Sequence, residues 1–252
     1  MNGVIIRLVF WGVVMGIDVK KNRREKTKQV SLNEAHDKLV VTDPDKNPVE
    51  HDIGLDELIT AVFQRKKAKD RTCDGNPLIY ALKNMHGFSI SDADKNVLYA
   101  YMKSIINHHY SGEEFDTIVP LPSSKPIALW LAEACHEVLN VPIERNAFIK
   151  ATNANILNQL QGVQGDQEIV ELRKQLEHAK PNGTFAMKEL SQHQREFVEP
   201  VKANPYYKAK ERILLVDDLV SSGTSLKSAY NSIKNKSSQT SIECLTLLGP
   251  VT

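Results

Sequence analysis

The most constraining feature of the sequence is an apolar run that ends in two acidic residues close to the C-terminus. Residues 213–216 read Ile-Leu-Leu-Val, and Asp217 and Asp218 follow at once. A continuous apolar run of this length is typical of a central strand buried on both faces, because a half-exposed strand would alternate with polar residues. The run therefore predicts an α/β fold with a central parallel sheet, and it places both aspartates at the carboxyl end of a buried strand.

A hydroxyl-rich turn follows the acidic pair. Gly223 permits a tight bend of the backbone, and four hydroxyl residues surround it: Ser221, Ser222, Thr224 and Ser225. A helix with inward apolar residues follows, so that hydroxyls and backbone N–H groups at its N-terminus can converge on a phosphate. Two carboxylates beside an anion pocket suit a ligand with hydroxyls at one end and a phosphate at the other, as in ribose 5-phosphate.

The segment ILLVDDLVSSGTSL, residues 213–226, resembles the motif of type I phosphoribosyltransferases that binds 5-phosphoribosyl-1-pyrophosphate (PRPP). The resemblance implies that Asp217 and Asp218 hold the ribose hydroxyls, act in catalysis and contact Mg²⁺ indirectly, through the PRPP-bound ion. It also implies that residues 221–225 bind the 5′-phosphate. The expected fold is that of the family, a central parallel sheet flanked by helices, with Mg²⁺ as the cofactor and PRPP as the substrate.

A second segment, TIVPLPSSKP at residues 117–126, resembles the pyrophosphate loop of ComF-like phosphoribosyltransferases. The resemblance implies that Ser123, Ser124 and Lys125 bind the pyrophosphate and that Lys125 assists catalysis. Many members of the family carry glycine after the basic residue, whereas this chain has Pro126. Because proline lacks a backbone N–H, the loop has one potential phosphate donor fewer.

The resemblance divides the chain into two parts. Residues 116–252 are expected to form the phosphoribosyltransferase-like domain, with an insertion at about 153–207 in the place of the family's flexible loop. Residues 1–115 are expected to form a mostly helical extension and a candidate hood over the base, to which residues 74–88 contribute. A helix is predicted over residues 56–69, because apolar residues recur there at helical spacing.

Three further expectations concern local structure. Ser91 is predicted to cap a helix that carries an apolar stripe. Residues 153–165, which are rich in Asn, Gln and Gly, are predicted to form a mobile loop. Lys150 is a candidate residue of a lid that closes over the substrate.

Other phosphate-related families fit the sequence less well. Receiver domains also place an acidic pair after an apolar strand, but that strand opens their domain, whereas only 34 residues follow Asp218 here. The Walker phosphate-binding motif, Gly-x-x-x-x-Gly-Lys-Ser/Thr, is absent from the sequence.

Two functions follow from the resemblance. The first is a phosphoribosyltransferase, a glycosyl-transfer enzyme that uses Mg–PRPP and displaces pyrophosphate with a nitrogen nucleophile on a nucleobase-like acceptor. The second is a protein of the same fold without turnover, either a PRPP or nucleotide sensor or a ComF-like or retron-associated effector of phage defence. A third reading, in which the fold only scaffolds a partner, predicts no PRPP binding.

Charge and cysteine content narrow the expected partners and location. The net charge is +1, which gives no overall electrostatic case for nucleic acid, and the basic residues at 20–28 are expected to be solvated. Three cysteines in no zinc-binding spacing indicate a reduced compartment, so a cytoplasmic location is expected. The apolar run at residues 8–17 is too short to span a bilayer, so no membrane partner is expected. A homodimer and a protein or nucleic-acid partner stay open.

Overall fold

The structure is a computed structural model that describes residues 15–66, 76–185, 187 and 190–251. The strands are β1 (Gly16–Asn22), β2 (Thr27–Asn33), β3 (Val40–Val41), β4 (Val49–His51), β5 (Ile59–Arg65), β6 (Phe88–Ile90), β7 (Thr117–Pro120), β8 (Phe148–Lys150), β9 (Val201–Ala203), β10 (Arg212–Leu219) and β11 (Ser241–Val251). The helices are α1 (Pro77–Leu82), α2 (Asp92–His109), α3 (Ile127–Leu139), α4 (Asn153–Leu160), α5 (Gln167–Glu177), α6 (Gln192–Arg195) and α7 (Thr224–Lys236). Within these ranges, none of the helices is both long and apolar enough to cross a bilayer.

The central sheet has six strands in the described part of the chain, in the order β3-β5-β11-β10-β7, with β4 also paired to β5. The pairs β5–β11, β11–β10 and β10–β7 are parallel, whereas β3 and β4 run antiparallel to β5. Residues 213–216 of β10 are fully buried. The predicted central parallel strand and the mixed α/β class are confirmed.

The side chains of β10 alternate between the two faces of the sheet, and those of residues 213–216 are all apolar. Helices therefore cover both faces. Leu214 and Val216 pack into the core that also buries residues of α2 and α3. Ile213 and Leu215 pack into the core that buries the apolar side of α7. The strand is therefore apolar on both sides, as its sequence requires.

The loops after β7 and β10 leave the same edge of the sheet. Val216 pairs with Pro120 in parallel register, and the Leu121 N–H donates to the Val216 carbonyl at 2.8 Å. The carboxyl ends of neighbouring parallel strands are where open α/β sheets bind ligands. This arrangement places both predicted phosphate-binding segments at the ligand-binding edge.

The first part of the chain is not mostly helical, which corrects the prediction from the sequence. The described residues up to 115 contain six strands, two α-helices and one short 3-10 helix at Pro44–Lys46. The predicted helix at residues 56–69 is wrong, because Ile59–Arg65 forms β5 between β11 and the antiparallel strands β3 and β4. The apolar residues of this segment fit the spacing of a helix and equally that of a buried strand. The segment forms a strand because backbone hydrogen bonds pair both of its edges with other strands. The division at residue 115 stays a prediction, although β5 shares the central sheet with β10.

The predicted mobile loop at residues 153–165 is also wrong, because α4 occupies most of it. Thr152 caps this helix in a reciprocal capping box with Asn155. Ile156 and Leu160 lie four residues apart and are fully buried in a separate core with apolar residues of α5. The many Asn and Gln residues indicated a loop. The two apolar residues Ile156 and Leu160 are nevertheless enough to anchor one short helix.

The predicted helix after Ser91 is confirmed, with Ser91 Oγ accepting from the Asp94 N–H at 3.1 Å. Cys135 and Cys244 are buried free thiols, and burial raises the pKa of both. They therefore act as packing residues. Cys73 lies outside the described residues, as does most of the apolar run at 8–17.

Candidate functional site

The turn between β10 and α7 forms an open helix N-terminus. Gly223 is the N-cap of α7 with φ 72° and ψ −1°, a left-handed conformation that glycine adopts without strain. No side chain caps this end, and the Lys227 N–H is bonded to the Gly223 carbonyl at 2.8 Å. The N–H groups of residues 224–226 have no partner within the helix and point out of its N-terminal end, where helices of other proteins bind anions.

A loop from the first part of the chain supports this turn from behind. A Cβ atom at Gly223 would lie 2.9 Å from Ile53 Cδ1. Gly223 is therefore required chiefly for its backbone conformation, while the terminal methyl of Ile53 would have to shift to admit a larger residue. Ile53 therefore covers one side of the Gly223 turn.

A cleft of about 740 Å³, here called the loop cleft, opens in front of the turn. Its lining includes Asp217 and residues 219–226, together with Tyr80, Lys83 and Arg195 from other parts of the fold. A helix N-terminus, several hydroxyls, one carboxylate and two cationic side chains thus share one space. Tyr80 and Lys83 come from within residues 74–88, the segment expected to contribute to the hood.

The two aspartates of β10 have different surroundings because consecutive strand residues point to opposite faces. Asp217 is partly exposed and lines the loop cleft. Asp218 is buried and its Oδ2 lies 2.5 Å from Lys83 Nζ. Asp217 therefore reaches a ligand directly, whereas Asp218 acts on the cleft through Lys83.

Although one part of Asp217 is exposed, the surrounding protein removes most of the water from its carboxyl group, and this burial together with the neighbouring Asp218 carboxylate raises the pKa of Asp217 to about 7. The Asp218 N–H donates to Asp217 Oδ1 at 2.8 Å, and the positive charges of Lys83 and Lys150 oppose the rise. Lys150, the lid candidate from the sequence, thus lies within electrostatic range of the cleft.

Arg195 is a site residue that the sequence did not indicate. It ends α6, within the segment 153–207 that the resemblance predicts to be an insertion, and its Nη1 donates to Ser222 Oγ at 3.4 Å. Its Nε is buried and has no hydrogen-bond partner among the described residues. Because a buried unpaired donor is costly, an anion next to Ser222 would stabilise this side chain.

The base of the turn is held by a buried arginine from β5. Arg65 donates from Nη2 to the Val220 carbonyl at 2.6 Å and from Nε to the Gly249 carbonyl. Burial lowers the pKa of Arg65 to about 10, so it stays protonated at neutral pH. The guanidinium joins the start of the turn to the end of β11 and fixes the cradle on the sheet.

The predicted pyrophosphate loop lies apart from the loop cleft. Ser123, Ser124 and Lys125 are exposed and line a smaller cleft of about 250 Å³ together with Arg145. Pro126 is the N-cap of α3 and not its first residue. The role of this loop stays a prediction. Among the described residues, the cationic side chains that line the loop cleft are those of Lys83 and Arg195.

The described residues contain no group of three His, Cys, Asp or Glu side chains that could hold a metal ion. With Asp218 paired to Lys83, Asp217 is the carboxylate that the described residues offer to the loop cleft. This donor set fits Mg²⁺ only as an ion carried by a phosphorylated ligand. It does not fit an ion bound by the protein alone.

The raised pKa of Asp217 predicts a pH-dependent stability. A raised folded-state pKa favours the folded state below the unfolded pKa, and this contribution is lost as the pH rises through the folded value. We expect Asp217→Asn to be more stable than the parent by about 2 kcal/mol near pH 8, and equal to it near pH 4. Urea unfolding at both pH values measures this, with the exposed Asp45→Asn as the control. Lower stability of Asp217→Asn near pH 8 would contradict the assignment.

Comparisons of the chain with protein-family models, with curated proteins and with solved structures found no match. The candidate site is therefore supported by the residues and geometry of this chain.

Proposed function

We propose that the loop cleft binds PRPP as its Mg²⁺ complex and that the chain is a phosphoribosyltransferase. One observation carries the proposal: a single cleft contains an uncapped helix N-terminus, a hydroxyl turn, a carboxylate and two cationic side chains. PRPP presents a phosphate, two ribose hydroxyls and a pyrophosphate, and each has a matching group in this cleft. The proposed reaction displaces pyrophosphate with a nitrogen nucleophile of a nucleobase-like acceptor.

The phosphate end of PRPP is assigned to the turn. The N–H groups of residues 224–226 and the hydroxyls of Ser222 and Thr224 donate hydrogen bonds to the 5′-phosphate. The two hydroxyl oxygens lie 3.0 Å apart. Arg195 Nη1, already directed at Ser222 Oγ, adds a charge-assisted hydrogen bond. The positive end of the helix dipole favours the same charge.

The sugar end is assigned to Asp217, which follows the turn residues along the cleft wall. Its carboxylate accepts from the ribose hydroxyls and lies near the ring, where positive charge develops as the bond from the anomeric carbon to pyrophosphate breaks. Mg²⁺ bound with PRPP supplies stabilisation of the pyrophosphate leaving group. Lys83, held by Asp218 at 2.5 Å, is fixed in position to attract the same leaving group.

One observation favours the alternative of a PRPP or nucleotide sensor without turnover. Ser123, Ser124 and Lys125 line a cleft separate from the loop cleft. A pyrophosphate in the loop cleft would then lack the second loop that stabilises its departure. Phosphate and sugar binding would be retained, and the displacement step would be slow.

Titration calorimetry with Mg–PRPP tests the binding step. We expect Arg195→Gln to weaken PRPP binding by about tenfold, because a charge-assisted hydrogen bond to phosphate is worth roughly 1.5 kcal/mol. The matched control is Arg173→Gln on α5, where the Arg173 guanidinium donates to the Gln161 carbonyl at 3.5 Å. Equal effects of the two changes would show that Arg195 does not touch the phosphate.

Release of pyrophosphate from PRPP distinguishes the two functions. The assay is run over a panel of nucleobases, nucleotides and nucleic acids as acceptors. Release with one acceptor class supports the transferase and names its substrate. Binding without release over the whole panel supports the sensor, and no binding of Mg–PRPP defeats both.

A further inference from the structure

The hairpin formed by β1 and β2 concentrates positive charge at its tip. Residues 20–28, here called the basic hairpin, contain six basic residues and one acidic residue, Glu25. The basic residues are Lys20, Lys21, Arg23, Arg24, Lys26 and Lys28. This segment carries +5 while the whole chain carries +1, so the other residues together carry −4. The near-neutral total charge conceals a strongly basic element.

Most of these charged side chains are presented to solvent. Residues 20–27 are all exposed. The ion pairs found in the described part of the chain include none of Lys20, Arg23, Arg24 and Lys26. Like charges this close repel one another, and a polyanion would relieve the repulsion.

The basic hairpin is an ordered two-stranded ribbon. Its strands pair antiparallel from Gly16 opposite Asn33 to Asn22 opposite Thr27. The Asn22 side chain closes the turn by accepting from the Arg24 N–H at 3.1 Å. Because the charges are already held in position, binding costs little ordering entropy.

The ribbon is fixed to the rest of the fold through β2 and β6. The Lys28 N–H donates to the Gly87 carbonyl at 2.8 Å, and β2 pairs parallel with β6 over three residues. The tip therefore projects from a sheet anchored in the main core, because Val30 and Phe88 are both buried there.

The lining of the hairpin's own groove indicates the kind of partner. The hairpin has a groove with a volume of about 460 Å³. All of the residues that line it, between Lys20 and Gln29, are polar or charged. Protein interfaces and inserted membrane anchors need aromatic or aliphatic residues at their centre, and this groove has none. Two adjacent arginines, Arg23 and Arg24, instead offer planar donor pairs that match phosphate oxygens.

We propose that the basic hairpin binds the phosphodiester backbone of a nucleic-acid duplex. The exposed end of the ribbon, from Lys20 opposite Gln29 to Asn22 opposite Thr27, spans three paired positions, or roughly 10 Å at about 3.3 Å each. A two-stranded ribbon of this kind fits a DNA major groove about 12 Å wide, with phosphates on both sides within reach of long basic side chains. The contacts are to phosphates, so the binding is independent of sequence.

A duplex held in this way lies beside the loop cleft. Lys28 Nζ lies 4.3 Å from the centroid of the Phe88 ring. The Phe88 and Tyr80 ring centroids are 5.6 Å apart, and Tyr80 lines the loop cleft. The proposal does not rest on PRPP chemistry, because every contact that carries it belongs to the hairpin.

Fluorescence anisotropy of the full chain with a labelled 20-base-pair DNA duplex of mixed sequence tests the proposal. We expect binding that weakens steeply with salt between about 50 and 200 mM. Arg23→Gln with Arg24→Gln should weaken binding about tenfold and reduce the log–log salt slope by about 2, since each lost phosphate contact removes close to one unit. Lys174→Gln with Lys180→Gln removes the same charge from exposed positions in the insertion and should leave both quantities unchanged.

Three competitors identify the source of the phosphates: a duplex RNA, a single-stranded DNA and phosphatidylserine vesicles. Competition by either duplex supports the proposal, and their order tells which duplex the hairpin prefers. Competition by the vesicles or the single strand alone overturns it. Equal losses in the two double variants overturn it as well, because total charge and not the hairpin would then govern binding. Thermal unfolding of both variants checks that the exposed substitutions leave the fold intact.

Discussion

Replacing Asp217 and Asp218 together with asparagine should abolish measurable Mg–PRPP binding while the chain stays folded. Asp217 offers its carboxylate to the cleft, and Asp218 holds Lys83 in place at 2.5 Å. The double change therefore removes the group that accepts from the ribose hydroxyls and releases the cation assigned to the pyrophosphate. We expect a loss of at least about 100-fold, measured by calorimetry, because two charge-assisted interactions disappear at once.

The fold should survive this change because asparagine keeps the shape and one acceptor oxygen of each side chain. The matched control is Asp45→Asn with Asp92→Asn, which changes the total charge equally at two positions outside the cleft. Circular dichroism and thermal unfolding of both variants separate loss of binding from loss of structure. Unchanged Mg–PRPP affinity in the Asp217 and Asp218 variant would defeat the assignment of the site.

Gly223→Val should unfold the turn and remove phosphate binding in one step. A β-branched residue at φ 72° is strongly disfavoured, and its Cβ would lie 2.9 Å from Ile53 Cδ1. We expect a loss of about 3 kcal/mol in the free energy of unfolding, measured with urea. Mg–PRPP affinity should fall further than in Lys125→Ala, because Lys125 lies in the separate smaller cleft.

Gly112→Val is the matched control for Gly223→Val. Gly112 has φ +88°, but a Cβ there would meet no atom within 4 Å, so this variant measures the backbone strain alone. The difference between the two variants is the cost of displacing Ile53, and adding Ile53→Ala to Gly223→Val should recover that part. If Lys125→Ala weakens binding more than Gly223→Val does, the two loops have been assigned the wrong roles.

The strand β10 and the helix after Ser91 could be predicted because the sequence patterns that specify them involve residues close together in the chain. The apolar run at 213–216 requires burial on both faces, and the structure buries it fully. Ser91 predicts a helix start through a bond to a residue three positions away, and that bond is present. Such features depend on neighbours in the sequence, which a single chain displays.

The helix predicted at residues 56–69 and the loop predicted at 153–165 were wrong because each sequence pattern is compatible with two structures. Residues 59–65 fit a helical stripe and also a buried strand, and only the pairing with β11 decides between them. In α4 the composition indicated a loop, whereas Ile156 and Leu160 anchor a helix because α5 lies against them. Both outcomes depend on partners distant in sequence, so local propensity was overridden.

The sequence alone determined the strand, the acidic pair, the glycine turn and the helix N-terminus, because these follow one another within residues 213–226. The tertiary structure alone decided which side chains face that turn. Lys83, Arg195 and Ile53 come from three separate segments, and no spacing in the sequence announces them. The physical reason is that a cradle is made by continuous backbone, whereas the charges that complete it depend on how distant elements pack around it.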